Sequence, residues 1–188
     1  MKKWIRILGI LLLGALPLVF LTEASAENAN GIAFLGDIKL GMSSGEVIAC
    51  MGKEPEIHQP NQLAYAPQKI MGKDAAIMYN FTDEKLVSVF LQFTEIHKED
   101  SAYYDDFCMI DDVLIEEYGQ PSTEKDYNLP GTMPDASDDE IKQAIESGKY
   151  SVTTFWNHDD SSIIHSIHRE EQQTYHMLMY ISIERESA

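Results

Sequence analysis

The sequence predicts an α+β fold made of two tandem helix-then-antiparallel-sheet units, with the helices packed on one face of a continuous or paired antiparallel sheet. Three observations predict it. Two amphipathic stretches, 43–51 and 100–118, each end in a glycine followed closely by a proline, Gly52 with Pro55 and Gly119 with Pro121. Apolar residues alternate over 75–81 and 85–93, and again over 150–157, 162–168 and 174–184, the period of strands that bury one face. The hairpins share a spacing: Tyr79 and Leu86 stand seven residues apart, as do Trp156 and Ile163, with Asp83 and Asp160 in the matching turns. The units run over about 34–95 and 100–184, within one globular domain spanning 27–188.

Residues 1–26 read as a secretory signal peptide. Lys2, Lys3 and Arg6 precede an apolar run over 7–21, and Ala24-Ser25-Ala26 gives a small-x-small cleavage site. The run is shorter than the roughly 20 residues a membrane span needs, and no cysteine follows the cleavage site to carry a lipid. The expectation is a secreted or periplasmic protein with no stable membrane anchor after cleavage.

The formal net charge is −17, and loss of the signal, with three bases and Glu23, makes the chain more acidic still. Nucleic acid and anionic membranes need Lys and Arg to neutralise phosphate, so neither is an expected partner. Solubility explains the acidity; a basic partner also fits it.

Each element has a local cause. Ser43-Ser44-Gly45-Glu46 is a capping box, in which the serine hydroxyl accepts an orphan N–H and the glutamate reaches back. Val47, Ile48, Cys50 and Met51 follow before Gly52 stops the helix. Residues 56–66 suggest one irregular strand. Thr82-Asp83-Glu84 reads as a tight hairpin connection between 75–81 and 85–93. Ile77, Tyr79 and Phe81 share one face, as do Val87, Val89, Leu91 and Phe93, and both sets are assigned to the core. Over 100–118, Tyr103, Phe107, Ile110, Leu114 and Tyr118 recur at helical spacing. The acidic pairs Asp105-Asp106, Asp111-Asp112 and Glu116-Glu117 then read as a solvated helix face. A polar loop is expected over 122–136, with a turn at 128–131. Ser137-Asp138-Asp139-Glu140 is a second capping box, opening a short amphipathic helix that Gly148 ends. That helix accounts for the longer separation from glycine to aromatic in the second unit.

The pattern Leu40-Gly41-Met42-Ser43, Glu46-Val47, then Met51-Gly52-Lys53-x-Pro55 resembles the entry helix of the beta-lactamase inhibitor protein-like proteins. It is also similar to the small outer-membrane assembly lipoproteins of the BamE/SmpA type. Tyr118-Gly119-x-Pro121, Phe155-Trp156 and the run 162–168 resemble the second unit of the inhibitor-like tandem proteins. The resemblance covers most of 34–184 and rests on short structural motifs, so it implies a fold more than an activity. The chain departs from the lipoproteins by lacking a lipidated cysteine and having two units. It departs from the inhibitor in its cysteines, with one possible bridge between halves in place of one within each.

Catalytic motifs are weak. Ser122-Thr123-Glu124-Lys125 fits S-x-x-K, but it follows Pro121 in a loop and has no S-D-N or K-T-G companion. H-E-x-x-H, G-x-S-x-G and a phosphate-binding glycine loop do not occur. Among six histidines, His165 and His168 alternate across a strand, whereas His165 and His176 can be cross-strand neighbours; two imidazoles alone make a poor metal site. No cofactor, metal or catalytic residue is expected. Cys50 and Cys108 lie on the two repeat helices, and export favours a bridge between them, adding about 3–4 kcal/mol. The alternative is two buried thiols acting as small apolar residues.

The strand phases place Met78, Phe90, Phe155, His165, Ile167, His176, Leu178 and Tyr180 together on the sheet face opposite the helices. Antiparallel sheets commonly carry one wet face, and an aromatic-rich patch there marks a partner surface. The function expected is therefore a non-enzymatic, inhibitor-like protein-binding module. The alternative is a structural or assembly accessory of the bacterial cell envelope, and either way the partner is another protein or envelope component.

Overall fold

The computed structural model describes residues 32–128, 137–146, 150–170 and 173–183. Segment 1–26, expected as a signal peptide, the turn expected over 128–131 beyond residue 128, and Gly148 lie outside the described residues. Ser43 opens α1 (Ser44–Met51) with both halves of the capping box in place: the Glu46 N–H donates to the Ser43 hydroxyl, and the Ser43 N–H donates to the Glu46 carboxylate at 2.8 Å. Gly52 closes α1 in the left-handed region at φ 63°, its N–H donating to the Ile48 carbonyl. A side chain there is strained by backbone alone. Gly52→Ala is accordingly expected to cost about 1 kcal/mol, read as a lowered urea midpoint at unchanged slope.

Four strands follow: β1 (Ile57–Gln59), β2 (Gln62–Ile70), β3 (Lys73–Thr82) and β4 (Lys85–Phe93). The segment expected as one irregular strand is thus two. The β3–β4 turn is Asp83-Glu84, with φ of 50° and 64°, the positive pair whose twist matches a two-residue hairpin. A register shift beside it pairs Phe81 with Leu86 and Asn80 with Ser88. Leu86 therefore enters the core, and Val87, expected there, is displaced to partial exposure.

The second half comprises α2 (Ser101–Tyr118), β5 (Thr123–Asn128), α3 (Asp138–Glu146), β6 (Ser151–Asn157), β7 (Ser161–Glu170) and β8 (Gln173–Ser182). The polar stretch expected as a loop supplies β5, an edge strand antiparallel to β6. All strands join one eight-stranded antiparallel sheet in the order β1-β2-β3-β4-β8-β7-β6-β5. The last strands of the two halves, β4 and β8, meet at its centre.

Direct cross-strand partners form a buried row on one face: Leu63, Tyr79, Val89, Tyr180, Ile163 and Trp156. Val47 of α1 and Ile110 and Leu114 of α2 join this core. Ile141 and Ile145 of α3 pack with Tyr104, Phe107, Val152 and Ile167 in a second cluster over the same face. The Trp156 indole donates to the Gly119 carbonyl at 2.8 Å, fastening the end of α2 to β6.

The cysteines are not bridged. Cys50 is exposed on α1, over the first half of the sheet, and Cys108 is half-buried beside the α3 cluster over the second. The bridge expected between them is not formed: Cys50 faces solvent on α1, and Cys108 packs against the cluster around α3.

Candidate functional site

On the face away from the helices, a second cross-strand row runs through Ala64, Met78, Phe90, Met179, Ile164 and Phe155. All six are partly exposed. The flanking positions are uncharged: Asn80, Ser88 and Ile181 on one side, Gln92, Met177 and Ser166 on the other. At one end of the sheet, Asp83 and Glu84 in the β3–β4 turn and Asp159 and Asp160 in the β6–β7 turn are exposed. An apolar band with an acidic border results. Among the described residues, the helices pack only against the opposite face.

Of the side chains expected on this open face, Met78, Phe90 and Phe155 are there. His165, Ile167, His176, Leu178 and Tyr180 are under the helices, each 3% exposed or less. The phase of β7 and β8 is the reverse of that expected. Register fixes it: Tyr180 lies opposite Val89 and Leu178 opposite Leu91, so both must join the face that Val89 and Leu91 occupy. Met177, Met179 and Ile181, which alternate with the buried residues of β8, face outward and are partly exposed.

The two buried histidines belong to a polar chain within the core. The Thr154 hydroxyl donates to Asp111 Oδ2 at 3.0 Å, Asp111 Oδ1 lies 2.7 Å from His165 Nδ1, and His165 Nε2 lies 2.8 Å from His176 Nε2. Asp111 and His176 are 2% and 3% exposed, His165 not at all. Phe107 stacks on His165 at 4.3 Å between ring centroids, and Phe93 lies 4.4 Å from the ring of His176. Burial, together with the neighbouring His165, Lys73 and His97, holds the His176 imidazole well below its ordinary pKa of 6.5. Every member of the chain, Thr154 included, is 3% exposed or less. The neighbourhood of His165 and His176 expected from sequence is present, but inside the protein.

Asp111, expected on a solvated helix face, is the residue that sequence reasoning missed. The signal was available: Phe107, Asp111 and Leu114 follow the i, i+4, i+7 spacing of one helix face. Asp112, its neighbour, is exposed as expected.

A cavity of about 610 Å³ opens where β4 and β8 part beyond Gln92 and Met177, walled by Phe93, Glu95, His97, Asp100, Tyr103 and Tyr175 among others. Around it, His97 and Lys73 both engage Asp106 and Arg169 engages Asp100, while Glu95 accepts the Asp74 N–H through Oε1 and its Oε2 has no hydrogen-bond partner among the described residues. Among the described residues, no group of three or more His, Cys, Asp or Glu side chains is placed to hold a metal ion. Compared with known proteins, the chain matches no family model, no curated protein and no solved structure.

Proposed function

We propose that this is an exported, non-enzymatic binding module that holds a partner protein against the open face of its sheet. The observation that carries the reading is the apolar row from Ala64 to Phe155, continuous across six strands on the face the helices leave bare. A row of this kind with a polar border is the form of a protein contact surface, and its aromatic members are the natural anchors. The partner is one with an apolar centre and a basic edge, which complements the acidic turns at Asp83-Glu84 and Asp159-Asp160 and the net charge of −17.

The sheet is read as two tandem units. In support, each half is a helix followed by four successive antiparallel strands, with α3 inserted between β5 and β6 in the second, and the closing strands β4 and β8 pair at the centre. This is the arrangement implied by the resemblance to the inhibitor-like proteins.

The test compares the wild-type chain with Phe90→Asp and Phe155→Asp, each confirmed as folded by circular dichroism, as baits for exported-fraction proteins. One partner retained by the wild type, weakened by added salt and held about 30-fold less well by each variant, as for a hot spot of 2 kcal/mol or more, supports the reading. Equal retention by the variants overturns it. So does a wild-type dimer in sedimentation that Phe90→Asp dissociates, because a second copy then closes the face. Retention of membrane-assembly components in place of a soluble partner favours the envelope-accessory function instead.

A further inference from the structure

The two core histidines meet nitrogen to nitrogen, and that contact limits how many protons the interior holds. Across the 2.8 Å between His165 Nε2 and His176 Nε2 one hydrogen fits, donated by one ring and accepted by the other. An imidazolium carries N–H at both ring nitrogens, so the rings cannot both be charged in this arrangement: two N–H groups would point at each other. His165 is held in place by Asp111 at Nδ1 and by the stacked ring of Phe107. In the unfolded chain both rings take up a proton below about pH 6.5.

We propose that this pair is an acid-responsive latch: uptake of the proton it excludes drives His165 and His176 apart and loosens the seat of α2 on β7 and β8. The helix is the part that yields. β7 and β8 are joined by an unbroken ladder from Ser161 and Ser182 to Glu170 and Gln173, whereas α2 is held over the pair by side chains, Asp111 and Phe107.

The charged groups around the pair divide: the Asp111 carboxylate favours a proton on His165, and Lys73 and His97 oppose one on His176, so the pair keeps at most one. α2 contributes Asp111 and Asp106, β3 contributes Lys73, and His97 comes from the segment between β4 and α2. Lys73 and His97 are themselves engaged by Asp106, and both oppose a proton on His176. β6 contributes the neutral Thr154, and α3 packs nearby through Ile141 and Ile145. Below about pH 6.5 the unfolded state therefore binds more protons than the native one, and the folding constant falls with pH. The contribution is complete above the unfolded imidazole value and is lost as pH drops beneath it.

The experiment unfolds the full chain in urea between about pH 7.5 and about pH 4.5, as wild type and as His176→Gln. Glutamine keeps a hydrogen-bonding group toward His165 and removes the second titration. The wild-type folding constant is expected to fall up to about tenfold more per pH unit below 6.5 than that of the variant. Equal pH slopes overturn the proposal. Two measurements on the wild type alone do not depend on the variant folding. In hydrogen exchange at about pH 5, corrected for intrinsic rates, α2 amides are expected to lose protection before those of β7 and β8; protection of α2 equal to its neutral-pH value overturns the latch. In a proton resonance titration, His165 and His176 both titrating near 6.5 with the aromatic tertiary signals intact also overturns it.

Discussion

Trp156→Ala is expected to lower stability by about 3–5 kcal/mol, a large part of the 5–15 kcal/mol that holds a typical domain together. Trp156 is 1% exposed in the buried row on β6, opposite Ile163. Removing its ring leaves a void that packed strands on both sides cannot collapse to fill. It also removes the indole N–H that meets the Gly119 carbonyl, so the end of α2 loses its anchor to the sheet. Trp156→Phe separates the two effects: it retains most of the packing, drops the hydrogen bond and is expected to cost about 1–2 kcal/mol. Urea unfolding followed by far-UV circular dichroism measures both without relying on fluorescence of the deleted ring. A loss under 1 kcal/mol for Trp156→Ala would show that the site repacks.

Asp111→Ala is expected to cost about 3 kcal/mol, while Asp112→Ala, one residue along the same helix, stays within about 0.5 kcal/mol. The contrast comes from burial. Asp111 is 2% exposed and bonded to both His165 and Thr154, so its removal strands two polar groups in the core. Asp112 faces water. Asp111→Asn keeps the shape and part of the hydrogen bonding, and should fall between the two. Matching midpoints for Asp111→Ala and Asp112→Ala would mean that the polar chain contributes no net stability.

Three of the eight side chains expected on the open face lie there. Met78, Phe90 and Phe155 were placed correctly because β3, β4 and β6 alternate strongly enough to define an inner and an outer side. β8 does not: Met177, Leu178, Met179, Tyr180 and Ile181 are all large and mostly apolar. A run of that kind satisfies either phase, so periodicity cannot choose between them. The histidines compounded the error. Their polarity argued for water, and the carboxylate that makes their burial tolerable sits 54 residues from His165 in sequence.

What the sequence determined by itself was everything whose cause lies within a few residues. The capping boxes at Ser43 and Ser137, the stop at Gly52, the Asp83-Glu84 turn and the amphipathic face of α2 are set by contacts spanning a turn or two of chain. Only the tertiary structure decided the phase of β7 and β8, the burial of Asp111 with His165 and His176, the separation of Cys50 from Cys108, and the recruitment of Thr123–Asn128 as an edge strand. Each depends on which distant strand or helix lies alongside. That choice is made by the register of β4 against β8 and by the side chains each helix finds beneath it, neither of which any local stretch encodes.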